Sequence, residues 1–252
     1  MRRRIEYRDL HHSLTRMTGA EKHAPSATST LDALYVLYDR VLDVAPERRD
    51  DPDRDRFVLS KGHGPMAYYA VLAARGFFPT DVLDGFGGFD SPLGHHPDRS
   101  HVPGVEVSSG SLGQGLPIAV GIALALRARN HERPNAQSNA AQSSFSRPND
   151  NTVAPRAPRV VVMLGDAELD EGSNHEAIAF AARAKLDALT AIVIDNDSAS
   201  LGWPGGIATR FEGERWLART VDGRDHGALE RALVTPGGRP LAVIAKVEPK
   251  HG

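Results

Sequence analysis

The chain has 252 residues, enough to bury a full α/β core, and a formal net charge of −2. Balanced charge gives no basic field for nucleic acid, and the absence of cysteine excludes disulfides and thiolate chemistry. No run approaches the roughly 20 apolar residues of a membrane span and the N-terminus lacks an apolar signal core, so a cytoplasmic protein that meets neither membrane nor nucleic acid is expected.

Residues 5–18 predict a helix with Leu10, Leu14 and Met17 on one stripe. A loop through His23 follows. Ser29 or Thr30 is placed to cap a second helix carrying Leu31, Leu34, Leu37 and Val41. A charged loop spans 45–56, and Phe57-Val58-Leu59 reads as a short strand. Ser60-Lys61-Gly62-His63-Gly64-Pro65 then opens a helix through Ala74. A helix start offers free N–H groups and the positive end of the macrodipole, which suits an anion beside His63; an exposed helix-start histidine is the plainer alternative.

Gly76 to Asp90 predicts a loop with a short helix. His95, His96 and His101 cluster next, but without cysteine or a helical His-x-x-x-His spacing they make a poor zinc set. Gly110 to Gly115 is a glycine-rich turn before a helix over 116–129. Its spacing is not that of a dinucleotide fingerprint. Residues 131–158 are rich in Asn, Gln, Ser, Ala and Pro, with Phe145 the one aromatic, and predict a disordered surface insertion.

Val160 to Leu164 is a β-branched run read as a buried strand, ended by Gly165-Asp166. A helix is expected over 174–188. Ala191 to Ile194 is a second buried strand, ended by Asp195-Asn196-Asp197. In a parallel βαβ unit both strand ends lie on the sheet edge where open α/β folds bind ligands. A carboxylate and an amide oxygen there suit magnesium, which takes few protein oxygens and leaves its other positions to phosphate and water. Taken singly, Asp166 would be a helix cap and Asn196 a turn residue. A turn-rich loop covers 202–206, a helix 229–234, and a last buried strand 240–247. The fold expected is an open, mostly parallel sheet with helices on both faces, as one domain over 1–252.

Four stretches carry a resemblance. Gly165-Asp166-Ala167-Glu168-Leu169-Asp170-Glu171-Gly172 with the later Asn196 resembles the thiamine diphosphate signature of transketolases. Arg56 to His63 resembles that family's RFVLSKGH, Gly104 to Gly115 its GVEVSTGSLGQG, and His96-Pro97 its His-Pro pair.

The resemblance implies thiamine diphosphate and Mg²⁺ as cofactors, with Asp166, Asn196 and the Ser198 carbonyl on the metal. It implies that His63, Gly110, Ser111, Leu112, Gly165, Ala167, Glu171 and Asn196 meet the cofactor, Ala167 through its N–H. His23, His63 and His96 would face substrate. The loop around His23 departs from the family's GHPGGS. Arg224 stands where the family has a cofactor-contacting histidine; arginine can hold phosphate but cannot exchange a proton near neutrality.

The family also needs a pyrimidine-binding domain, for which the resemblance leaves no room here. The expected protein is therefore the N-terminal subunit of a split transketolase, completed by a C-terminal subunit in an α2β2 assembly. It would transfer a two-carbon ketol unit from a ketose or its phosphate to an aldehyde. Other readings are the α subunit of a two-chain 2-oxoacid dehydrogenase and a degenerate scaffold.

Overall fold

The computed structural model describes residues 4–18, 24–140, 157–234 and 238–249. Five parallel strands form one sheet in the order β1-β2-β3-β5-β4. They are β1 (Arg56–Leu59), β2 (Val160–Gly165), β3 (Leu189–Asp195), β4 (Leu217–Asp222) and β5 (Leu241–Lys246). β2, β3 and β5 are buried almost throughout, because helices cover both faces of a parallel sheet and each central strand becomes a continuous apolar run.

The two-residue alternation of a strand divides these runs between two cores. Val161, Met163, Ile192, Ile194 and Val243 face one way. They pack on α1 (Tyr7–Arg16), α2 (Ala24–Val36), α3 (Met66–Arg75) and α7 (His226–Val234). Val160, Val162, Leu164, Ala191 and Val193 face the other way. There they meet α4 (Gly115–Ala140), α5 (Gly172–Arg183) and α6 (Ile207–Gly213). The Trp216 indole, wholly inside, donates to the Ile178 carbonyl at 2.9 Å and ties the entry of β4 to α5.

Four elements differ from the sequence expectation. α2 begins at Ala24, so Ser29 and Thr30 lie within it rather than capping it. Their hydroxyls donate back to the carbonyls of Ser26 and Ala27, which satisfies them inside a helix. α2 passes into a π turn at Leu37–Val41. α4 runs on through Ala140, past the residue where the insertion was expected to start. Its first half is anchored in the core, and extending an existing helix costs far less than starting one. The rest of the expected insertion, 141–156, lies outside the described residues. Finally, β4 and α6 have no counterpart in the sequence reading.

The short edge strand β1 is pinned at its start by Asp55, which is fully buried. Its carboxylate accepts the N–H of Asp43 at 2.8 Å and that of Arg159 at 2.7 Å, joining the loop before β1 to the residue before β2. Asp55→Ala leaves both half-buried donors without their acceptor, and equilibrium urea unfolding should register a loss of about 2 kcal/mol.

Candidate functional site

The carboxyl ends of β1, β2 and β3 open onto one cavity of about 280 Å³. Lys61 and His63 reach it from the turn after β1, Gly165 to Glu168 from the tip of β2, and Asn196 and Ser198 from the tip of β3. Ser26 and Leu112 complete its wall. Parallel register places these tips together: Gly165 pairs with Ile194, and the Asp166 N–H donates to the Ile194 carbonyl at 3.0 Å.

Asp166 is 2% exposed. One carboxylate oxygen accepts the N–H of Ser198 at 2.6 Å and that of Ala199 at 3.2 Å. The other accepts the N–H of Ala167 at 2.9 Å and the Ser198 hydroxyl. The carboxylate thus folds the loop after β3 back over the tip of β2. Asn196 is also buried, yet its side chain has no hydrogen-bond partner among the described residues.

A carboxylate, an unpartnered amide and the Ser198 backbone therefore border one cavity, beside the cationic Lys61 and the ring of His63. Hard oxygens next to basic groups fit a divalent cation carrying a diphosphate. All four acceptor positions of Asp166 are taken, so coordination by it displaces a donor. The Ser198 hydroxyl can leave by side-chain rotation, without moving the backbone. Among the described residues, no three His, Asp or Glu side chains are grouped to hold a metal by themselves.

The same lining includes a second buried carboxylate, Glu168, 1% exposed. Its oxygens accept the Ser60 hydroxyl, the Gly113 N–H at 3.0 Å and, more weakly, the Gly165 N–H at 3.4 Å. Ser60 in turn accepts the Gly115 N–H at 3.1 Å. One side chain thus joins the turn after β1, the glycine-rich turn and the tip of β2. The glycines allow this approach: a Cβ on Gly115 would come within 2.7 Å of the Ser60 backbone, and one on Gly62 within 2.7 Å of Gly110. Glu168, Ser60, Lys61 and Ser26 carried no assigned role in the sequence reading. Within the acidic run 168–171, Glu168 could have been singled out only by knowing which side chain turns inward.

The expected site residues do not all fall in one place. His63, Leu112, Gly165, Asp166, Ala167, Asn196 and Ser198 line the cavity. His96 stands behind His63, their rings edge to face at 4.8 Å, and its ring leaves no room for a side chain on Gly110. Ser111 is exposed on the same turn. Glu171 packs its stem against Gly113 at the start of α5, outside the cavity lining. His23 lies outside the described residues.

Two of the expected groups are engaged within the protein itself. The Ala167 N–H, expected to face phosphate, is donated to Asp166, because the carboxylate caps its own following turn. Arg224, expected to reach the cofactor, is not among the residues that line the cavity. It bonds Asp32 at 2.5 Å, Glu248 at 3.0 Å and the Thr28 carbonyl at 3.0 Å. Buried Asp32 also accepts from Tyr7 at 2.6 Å and lies 2.7 Å from His226, so this arginine joins a clamp between α2, α7 and the end of β5. The three histidines near 95–101 also separate: His95 packs on Phe86, His96 on His63, and His101 bonds Asp98.

Glu168→Ala removes the acceptor shared by Ser60 and Gly113 and should cost about 3 kcal/mol in urea unfolding. Burial pushes the Glu168 pKa up from the usual carboxylate value. A carboxyl raised in the fold stabilises it below the unfolded pKa, near 4.3, and loses that contribution as pH climbs through the folded value. Stability relative to Glu168→Gln should therefore fall as pH rises from about 4 toward neutrality.

Comparison with known proteins agrees with this geometry. A family model described as transketolase, thiamine diphosphate binding domain, matches residues 15–236. A Rhodococcoides fascians protein named ferredoxin fas2 is 51% identical over 244 residues, covering 96% of this chain and 72% of that one. The present chain has no cysteine and so no thiolate-held iron–sulfur cluster. A protein from Actinobacillus succinogenes, named as one subunit of an apulose-4-phosphate transketolase, is 34% identical over 234 residues, 88% of this chain and 75% of its own length. A Pichia stipitis transketolase solved with sedoheptulose-7-phosphate superposes with a TM-score of 0.73 at 26% identity, over 96% of this chain but only 36% of that longer one. Fold, cleft and sequence together place the chain in the transketolase family, as a member carrying its thiamine diphosphate binding domain.

Proposed function

We propose that this chain is the diphosphate-binding subunit of a two-component transketolase. It would work in the cytoplasm with a separate C-terminal subunit bearing the pyrimidine-binding domain, as an α2β2 assembly. The observation that carries this reading is the meeting of Asp166 and Asn196, from neighbouring strand tips, in one cavity with Lys61 and His63. The two-component form is supported by the Actinobacillus relative, whose name makes it one subunit of a larger enzyme.

In this reading Asp166, Asn196 and the Ser198 carbonyl hold Mg²⁺, and Lys61 and His63 balance the diphosphate charge. Thiamine diphosphate supplies, when bound, a carbon centre that stabilises a carbanion. The chain's own residues bind and orient. Leu112, 37% exposed at the cavity wall, offers the apolar contact for the ring end. His63, in the cavity lining, and His96, edge to face with it, would face substrate and can donate to its hydroxyl or phosphate oxygens. His23 is proposed as a third substrate contact. Arg224 would serve at a distance, fixing α2, whose first turn carries Ser26 into the cavity wall.

The reaction would move a two-carbon ketol unit from a ketose or ketose phosphate to an aldehyde acceptor. The test is a steady-state assay of ketol transfer with the chain alone, the partner alone and the two combined, across phosphorylated and unphosphorylated aldehydes. Turnover should appear only in the mixture and fall at least about 100-fold in Asp166→Asn, which loses the anionic ligand. Full turnover by the chain alone, or pyruvate decarboxylation in place of ketol transfer, would overturn the proposal.

A further inference from the structure

Two adjacent histidines, His95 and His96, compete for the place beside His63, and His96 holds it. The His96 ring lies edge to face with His63 at 4.8 Å, while His95 packs on Phe86 at 5.3 Å. The two places differ by one residue of chain, so a slip of one position would exchange them. All of residues 86–114 are described, and none belongs to a helix or strand. No ladder of backbone bonds therefore fixes this register.

A side chain from α3 reaches the segment instead. Tyr69, wholly buried, places its hydroxyl 3.0 Å from the Gly94 carbonyl and 3.0 Å from the His96 carbonyl. One O–H shared by carbonyls two residues apart curls the chain around it, with His95 between them. Burial pushes the Tyr69 pKa well above the usual tyrosine value, so the hydroxyl keeps the proton it donates. Beyond His96, the Ser109 N–H donates to the Pro97 carbonyl at 3.2 Å and ties the segment to the glycine-rich turn. The His96 ring then fills the space over Gly110, where an added Cβ would come within 2.9 Å of it. α3 starts at Met66, just after His63, so the element that carries Tyr69 is also the one that His63 leads into.

We propose that Tyr69 is the positioning residue that sets His96, rather than His95, against His63. Tyr69 lies outside the cavity lining and acts through the backbone of His96. The proposal rests on the function proposed above in one respect, that the His63–His96 pair faces substrate.

The test is Tyr69→Phe, which keeps the buried ring and removes only the hydroxyl. The first readout is imidazole proton–nitrogen NMR of the full chain, with His96→Ala as the reference for a His63 ring that has lost its neighbour. The His63 ring signals of Tyr69→Phe should shift toward those of His96→Ala. Para-aminophenylalanine at position 69 keeps a donor and should return them to their wild-type place. The second readout is ketol transfer by the complex with the partner subunit. There kcat should fall at least about tenfold, while affinity for thiamine diphosphate with Mg²⁺ stays within about twofold of wild type.

His63 signals that are the same in Tyr69→Phe and wild type would overturn the proposal. Equal losses of turnover and cofactor affinity would also overturn it, since a general loosening of the fold gives that result. A wild-type mixture without ketol transfer would overturn the proposed function instead, and the imidazole signals would still decide the role of Tyr69.

Discussion

The Asp166 carboxylate is the interaction on which the candidate site depends. It sits at the tip of β2 and gathers N–H groups from the loop after β3, so two strand ends that are merely adjacent become one wall. A buried carboxylate is costly unless it is paired or fully hydrogen-bonded, and here every acceptor position is used. The same bonds hold the loop that carries Asn196, whose own amide has no hydrogen-bond partner among the described residues.

Glu168 does for three loops what Asp166 does for two. The turn after β1, the glycine-rich turn and the β2 tip come from distant parts of the chain, and no strand pairing joins the glycine-rich turn to the sheet. They are held by one acid, one serine hydroxyl and glycines that let backbones touch. The signature residues of this family therefore do two kinds of work. Some border the cavity, while others only keep its rim in place. His96 belongs between these kinds, since its ring both backs His63 and fills the space that makes Gly110 obligatory.

The central strands were legible because burial on both faces writes a continuous apolar run, as in 160–164 and 191–194. The edge strand β4 was not, since Leu217-Ala218-Arg219-Thr220-Val221-Asp222 is half solvated and neither apolar nor cleanly alternating. The start of α2 was misplaced because Ser29 and Thr30 read as caps, yet a hydroxyl can equally return its proton to its own helix. Within the site, Asp166 and Asn196 were visible from their place after buried strands. The partners of Arg224 were not legible, because only the fold brings Asp32 and Glu248 beside it. Ala167 shows the same limit of a linear reading, since its N–H has a nearer acceptor in the preceding side chain.

The chain belongs to a family whose long members are nearly three times the length matched here, and whose shorter relative carries the name of one subunit. What this chain holds by itself is the cleft at three strand tips, and the central claim is that Asp166 and Asn196 together receive a divalent ion there. Calorimetric titration of thiamine diphosphate into the complex with the partner subunit tests it most directly, run with Mg²⁺ and with EDTA, for wild type and Asn196→Ala. The account predicts binding that requires Mg²⁺ and weakens at least about tenfold in Asn196→Ala. Equal affinity with and without the metal, or an Asn196→Ala protein that binds like wild type, would contradict it.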